Sequence, residues 1–351
     1  MDAMAEKKER KLHYDLLRIV AAFSVVVLHS SAQFWYYLDL HSAEWVIVNG
    51  YDAVFRFGVP IFVMLSGAMF LAPDYQLDVK RLFRHNILRM LVLYGIWSFL
   101  YALYSCRNLE VLDLKTLLRA IITGYYHLWF IPMIIGIYLL LPILKGWVEK
   151  AEKRQVQYFL GLFFVLQILR ITMRTLVVSD EIHTILDTWE IEMVCGYLGY
   201  FVWGYYLAHV GIGDKMRKIL YVMFVPAVIL NIVVSTLLSR RAGEAEGVFF
   251  DSYGICTFVM VSAMFMFTVD RGSRMSFGKK SAKWIKELSA NTLGVYLLHL
   301  GMLEVWRAAG FHSMTLPVAV GIPVLSILCF AVCTAIAGLL RRIPIVGRFL
   351  C

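Results

Sequence analysis

Residues 14–37 read YDLLRIVAAFSVVVLHSSAQFWYY, and this run decides the fold. Ten uncharged residues separate Arg18 from His29. A helix crossing about 30 Å of hydrocarbon needs roughly 20 mostly apolar residues, and this segment meets that length. Nine more segments do the same: 45–72, 87–105, 124–147, 155–174, 193–213, 219–239, 249–270, 288–307 and 315–340. The fifth is the weakest, because Arg170 and Arg174 sit near its far end. The composition agrees. Of 351 residues 60% are apolar and 17% charged, whereas soluble domains carry about 45–50% and about 25%. The expected fold class is an all-α integral membrane protein, a bundle of about ten transmembrane helices. Soluble nucleic-acid binders, disordered chains and disulfide scaffolds are excluded on the same ground.

The net charge of +9 has to be sorted by membrane side before it says anything about partners, because cytoplasmic loops collect Lys and Arg. With the N-terminus inside, the inner loops take Lys7, Lys8, Arg10 and Lys11, then the clusters at 80–89, 145–154, 215–218, 271–286 and 341–348. The outer loops take Arg107, Lys115, Arg119, Arg170, Arg174, Arg240, Arg241 and Arg307. The bias is roughly three to one toward the inside, which an odd number of helices would scramble. Both termini are therefore expected in the cytoplasm. Residues 1–13 form a basic cytoplasmic segment, and the first span reads as an anchor rather than a cleaved signal. No linker, repeat or soluble insert divides the chain, so 1–351 is taken as one membrane domain. The outer loop 180–192 is acidic, with Asp180, Glu181, Asp187, Glu190 and Glu192. The six cysteines, Cys106, Cys195, Cys256, Cys329, Cys333 and Cys351, form no metal-ligand spacing and read as small apolar fillers. No metal site and no nucleic-acid partner is expected. Neither a phosphate-cradling glycine loop nor a nucleophile elbow is present.

Ionisable residues at membrane depth are costly and mark function by default. Arg18 and His29 are eleven positions apart, about three turns and roughly 16 Å of rise, so they share a face. A desolvated, neutral imidazole there can take a proton from a hydroxyl; the plainer alternative is a histidine bonding a neighbouring helix. Asp52 and Arg56 are four apart and can pair, with Arg56 near the midplane ahead of the kink-prone run Gly58-Val59-Pro60. Arg81 and Arg84, three apart, present guanidinium forks suited to phosphate, although the positive-inside bias also explains them. His127 and Trp129 open the fourth span at the outer face. His299 lies mid-membrane on the ninth, either as a polar lining group or as helix–helix glue.

Five fragments in order carry a resemblance: Tyr14-Asp15-Leu16-Leu17-Arg18 with His29; Arg56 before Val59-Pro60-Ile61-Phe62 and Ser66-Gly67; Arg81-x-x-Arg84; His127-Leu128-Trp129-Phe130; and Thr292-Leu293-Gly294-Val295-Tyr296-Leu297-Leu298-His299. Together they resemble the acyltransferase-3 family of integral membrane acyltransferases over nearly the whole chain. The likeness is greatest to short, stand-alone O-acetyltransferases of cell-envelope polysaccharides, and extends to the membrane half of vancomycin-resistance serine racemases. Unlike longer members, the sequence is expected to carry no fused extracytoplasmic domain.

The resemblance implies a bacterial cytoplasmic membrane protein that uses acetyl-CoA, or another acyl-CoA, as donor. It implies a cell-envelope glycan or lipid-linked saccharide as acceptor. It assigns His29 as catalytic with Arg18 as its partner, and Arg81 and Arg84 as donor-phosphate ligands. Tyr14, Asp15, Asp52, Arg56, His127, Trp129 and His299 are site-lining candidates. Direct transfer with His29 as general base and an acyl-histidine relay both fit these residues. Two other classes compete: a proton-coupled carrier of a small polar solute such as serine, which should not release CoA, and an acyl-CoA-binding sensor without turnover. A homo-oligomer is equally compatible, since an apolar surface facing lipid reads like one facing a second copy.

Overall fold

The computed structural model describes residues 10–106, 114–176, 192–344 and 347. The acidic positions Asp180, Glu181, Asp187 and Glu190, together with Lys7, Lys8, Arg107, Arg348 and Cys351, lie outside the described residues. Among the described residues the chain is helical throughout, with no strand. In hydrocarbon every backbone polar group must be satisfied within its own segment, and the α-helix does this for a single span.

Helix α1 (Leu12–Ser31) is 20 residues long. Helices α2 (Ala43–Phe55) and α3 (Gly58–Phe70) are two halves of one span, Ala43–Phe70. The chain continues through α4 (Val79–Cys106), the short α5 (Leu114–Thr123), α6 (Tyr126–Lys150) and α7 (Lys153–Leu176). Helix α8 (Glu192–Tyr205) breaks at Gly196 and extends as a wider turn over Tyr206–Val210. Helices α9 (Asp214–Ala242), α10 (Ile255–Asp270), α11 (Lys279–Ala308) and α12 (Val318–Leu340) complete the bundle. Eight of these helical stretches are long and apolar enough to cross a membrane. The expected spans 193–213 and 288–307 are also helical, but they fall outside that set. Helix α11 carries Ser289, Asn291, Thr292, His299 and Glu304, and the first four of these are buried.

The bundle also shows on its outside. On α9, Val222, Val225, Ile229, Val233 and Leu237 are all exposed at helical spacing. A stripe of that kind marks contact with lipid or another apolar partner.

Helix α1 sits at the centre and packs against α2, α3, α10, α11 and α12. Small residues set the closest approaches, as expected where lipid gives no hydrophobic drive between helices. A Cβ on Gly58 would overlap Ser24 and Ala21 of α1, one on Gly67 the backbone of Phe201, and one on Gly204 the backbone of Met64. The helix axis resets at Arg56–Phe57, between α2 and α3. Pro60 falls in the first turn of α3, where its missing N–H costs no hydrogen bond. The buried C-terminal end of α3 is satisfied from outside the helix. His209 Nε2 meets the Ala68 carbonyl at 2.8 Å, and Lys145 Nζ donates to Ala72 at 2.7 Å.

The opposite end of the bundle is held by amides and indoles. Asn49 donates to Ser235 and Thr236 at 2.9 and 3.0 Å and accepts from Trp35 at 3.1 Å; Trp45 donates to the Trp35 carbonyl at 3.0 Å.

Candidate active site

The site is built on one face of α1. At its N-terminal turn Asp15, buried, is fully engaged. Arg10 donates to its two oxygens at 2.6 and 3.0 Å, Ser289 of α11 at 2.7 Å and Arg18 at 3.2 Å. The hydrogen bond to Asp15 raises the pKa of the Arg10 guanidinium. Arg18 also reaches Ser289 Oγ at 3.3 Å. Asp15 thus orients two guanidinium groups, and Ser289 ties them to α11. Tyr14 is buried and stacks on Phe265.

Two cavities meet at Arg18. The first, about 420 Å³, opens at the N-terminal end of α1 between Arg10, Lys11, Tyr14, Ala72 and Tyr75. The second, about 310 Å³, runs deeper between Val25, Phe62, Ser66, Tyr138, Thr292 and Tyr296. Arg18, Met69 and Phe70 line both. A cationic mouth therefore leads into a narrow, largely apolar channel that ends one turn from His29.

Three histidines lie beyond that end, on three different elements. His29 Nδ1 is 2.8 Å from the Val25 carbonyl. His299 Nδ1 is 2.7 Å from the Tyr296 carbonyl, and its Nε2 is 3.4 Å from His29 Nδ1. A carbonyl can only accept, so each Nδ1 carries the hydrogen. The Nε2 of His29 is then the unprotonated nitrogen, and the Nε2 lone pair of His299 lies 3.4 Å from His29 Nδ1 as a second, longer acceptor beside the Val25 carbonyl. The two rings meet edge to face at 4.9 Å, and His127 follows at 5.4 Å from His299. His299 and His127 are buried, whereas His29 is half-buried and keeps accessible surface. The backbone around them is pinned by tyrosines. Tyr101 donates to the Leu297 carbonyl at 2.8 Å and accepts from Gly301 N–H at 3.0 Å, and Tyr296 donates to the His127 carbonyl at 2.6 Å.

Asp52 and Arg56 pair at 2.6 Å as their spacing predicts. The carboxylate is fully buried, and the guanidinium lies 4.6 Å over the Phe250 ring. Trp129 is half exposed and packs on Tyr197 at 5.5 Å. Arg81 and Arg84 are exposed at the start of α4, and neither lines either cavity. Arg81 is nevertheless close to the mouth: burial pushes the Tyr75 phenol up while the charge of Arg81 pulls it back.

The structure thus brings Tyr14, Asp15 and Arg18 to the mouth and pairs His29 with His299 beyond the inner cavity, with His127 next to His299. Sequence reading missed Arg10, counted there only as a topology charge, and Ser289, which precedes the Thr292–His299 motif by three residues and had no role. The i,i+5 spacing of Arg10 and Asp15 was the available signal for the first. Nothing in the sequence could signal the second, because it acts across 271 positions.

Membrane-length helices thus enclose a charged mouth, a slender apolar cavity and a pair of facing imidazoles. The model of the acyltransferase-3 family, described as an acyltransferase domain, matches residues 12–340. The chain belongs to that family and is a multi-pass membrane acyltransferase. No curated protein and no solved structure matches it.

Proposed function

We propose that the protein is a membrane O-acetyltransferase. It moves an acetyl group from cytoplasmic acetyl-CoA to a hydroxyl of an extracytoplasmic or lipid-linked cell-envelope glycan, in a bacterial cytoplasmic membrane. The observation that carries this reading is the pair of cavities that share Arg18, Met69 and Phe70, which together run from a cationic mouth to Val25, one helical turn short of His29. Adding 192–210 and 279–308 to the eight apolar helices gives ten crossings, and the Lys/Arg bias then supports both termini on the cytoplasmic side.

The parts divide as the donor requires. Its anionic phosphates suit Arg10 and Arg18 at the mouth, with Arg81 and Arg84 at the rim for the outer phosphates. The pantetheine arm threads the 310 Å³ channel. Along α1 the rise from Arg18 to His29 is about 16 Å, a reach comparable to that arm, and this supports a short acyl group. The acceptor hydroxyl approaches from the Arg56, Trp129 and Tyr197 side.

His29 Nε2 takes the hydroxyl proton as the oxygen attacks the thioester carbonyl. The C–S bond then breaks, and the thiolate recovers that proton from the His29 imidazolium. No proton is gained or lost overall. His299 acts through His29: its Nε2 lone pair, a second and longer acceptor beside the Val25 carbonyl, shares the Nδ1–H and steadies the imidazolium while it exists.

The test is CoA release from acetyl-CoA by purified wild type, His29→Ala and Arg18→Ala, with an envelope glycan extract as acceptor. Release by wild type alone supports the reading. A folded His29→Ala protein that kept more than a few per cent of the activity would end it. A direct transfer also predicts no exchange of labelled CoA into acetyl-CoA when acceptor is absent, whereas an acyl-histidine relay requires that exchange.

A further inference from the structure

On the side of α1 turned away from His29, a groove of about 580 Å³ runs between α1, α9 and α10. Its size is that of an organic-ligand site, about 300–1,000 Å³. The long walls are apolar: Leu16 and Val20 from α1, Phe224 from α9, Met264 and Phe267 from α10. Its polar groups are not spread along it. His13, Tyr221 and Arg271 all stand at the end nearest the N-terminus of α1.

Most of the charge at that end is already matched. Asp270 receives Tyr221 at 3.0 Å and Arg217 at 3.1 Å, and Asp214 receives Arg217 at 2.6 Å. Arg271 is exposed and has no carboxylate within ion-pair range among the described residues. The same end is closed by backbone: a Cβ on Gly272 would come within 2.7 Å of the His13 Cβ. The groove is open sideways instead, where Val20 and Phe267 are 42% and 52% exposed. In a chain that spans a bilayer, that opening faces lipid.

A ligand that fits must therefore be amphipathic, with one anionic head at Arg271 and a long apolar chain lying toward Val20, about 10 Å along the helix axis from His13. We propose that this groove is a binding site for one anionic diacyl phospholipid. Its phosphate sits against the Arg271 guanidinium beside His13, and one acyl chain packs between Leu16, Phe224 and Phe267. Charge complementarity selects the headgroup, and the apolar walls retain the chain. The lipid clamps the turn of α1 whose other face carries Asp15 and Arg18.

The test is native mass spectrometry of the delipidated full-length protein, titrated with phosphatidylglycerol and, separately, phosphatidylcholine of the same chains. One phosphatidylglycerol should be retained over phosphatidylcholine by about fivefold, the size of one cationic contact to an anionic headgroup. Arg271→Gln should abolish the preference, and Val20→Trp, which fills the open side, should reduce retention of both lipids. Arg241→Gln, at the other end of α9, should change nothing. Equal retention of the two lipids by wild type would overturn the proposal, as would a preference that survives Arg271→Gln. The readout needs neither donor nor acceptor, so it stands or falls apart from acyl transfer.

Discussion

At the residue scale the arrangement turns on which nitrogen of each histidine carries its hydrogen. Carbonyls of Val25 and Tyr296 fix both, and this leaves His29 with one free lone pair and His299 with one aimed at His29. A hydrogen bond to a charged group contributes about 1.5–3 kcal/mol, which is about ten- to a hundredfold in rate. His299→Leu should therefore slow CoA release by about that factor, while His299→Asn, which keeps an acceptor, recovers part of it. Equal loss in both variants would reduce His299 to a packing residue. The Asp52–Arg56 pair allows a stability test. Removing one partner of a buried pair costs about 3–5 kcal/mol, so Asp52→Ala should lower thermal stability in detergent by that order. Asp52→Ala with Arg56→Met should restore most of it, because no uncompensated charge then remains. The spacing of Asp52 and Arg56 made this pair legible in sequence. The His29–His299 contact was not, since 270 positions separate the two residues.

At the element scale the close approach of α3 and α8 orders the bundle around the site. Gly67 and Gly204 place each helix against the other's backbone, with no space for a methyl group. Gly95 of α4 meets nothing within 4 Å. The same substitution should thus have opposite outcomes: Gly67→Ala or Gly204→Ala should lose most of the monodisperse protein on size exclusion, and Gly95→Ala should not. If all three behave alike, backbone contact does not set this packing. The span Ala43–Phe70 shows the limit of sequence reading for elements. Pro60 and the neighbouring glycines announced an interruption, but the reset falls at Arg56–Phe57, where the chain turns a guanidinium over Phe250. Helix α11 shows a second limit. Its inward polar residues make it less apolar than a lipid-facing span, so a helix that supplies Ser289 and His299 to the site falls outside the set of clearly apolar spans.

At the scale of the whole molecule, the proposed ten crossings would place both ends of the chain on one side and the 239–247 turn on the other. Fluorescent reporters fused at either end should light up in the cytoplasm, and a periplasmic reporter inserted after Gly243 should read as external. Ends on opposite sides would remove one crossing from the count and detach the cationic mouth from the donor's compartment.

The sequence by itself determined that the chain is a helical membrane protein, because apolar run length is a local property that the bilayer reads directly. It also determined the family, through motifs that are each contiguous. Only the tertiary structure decided that Arg10, Arg18 and Ser289 share Asp15, that two cavities join at Arg18, and that His299 faces His29. Those are contacts between groups brought together across the bundle, and they depend on helix rotation and on approach distances set by glycines packed against distant backbone. No local pattern encodes either.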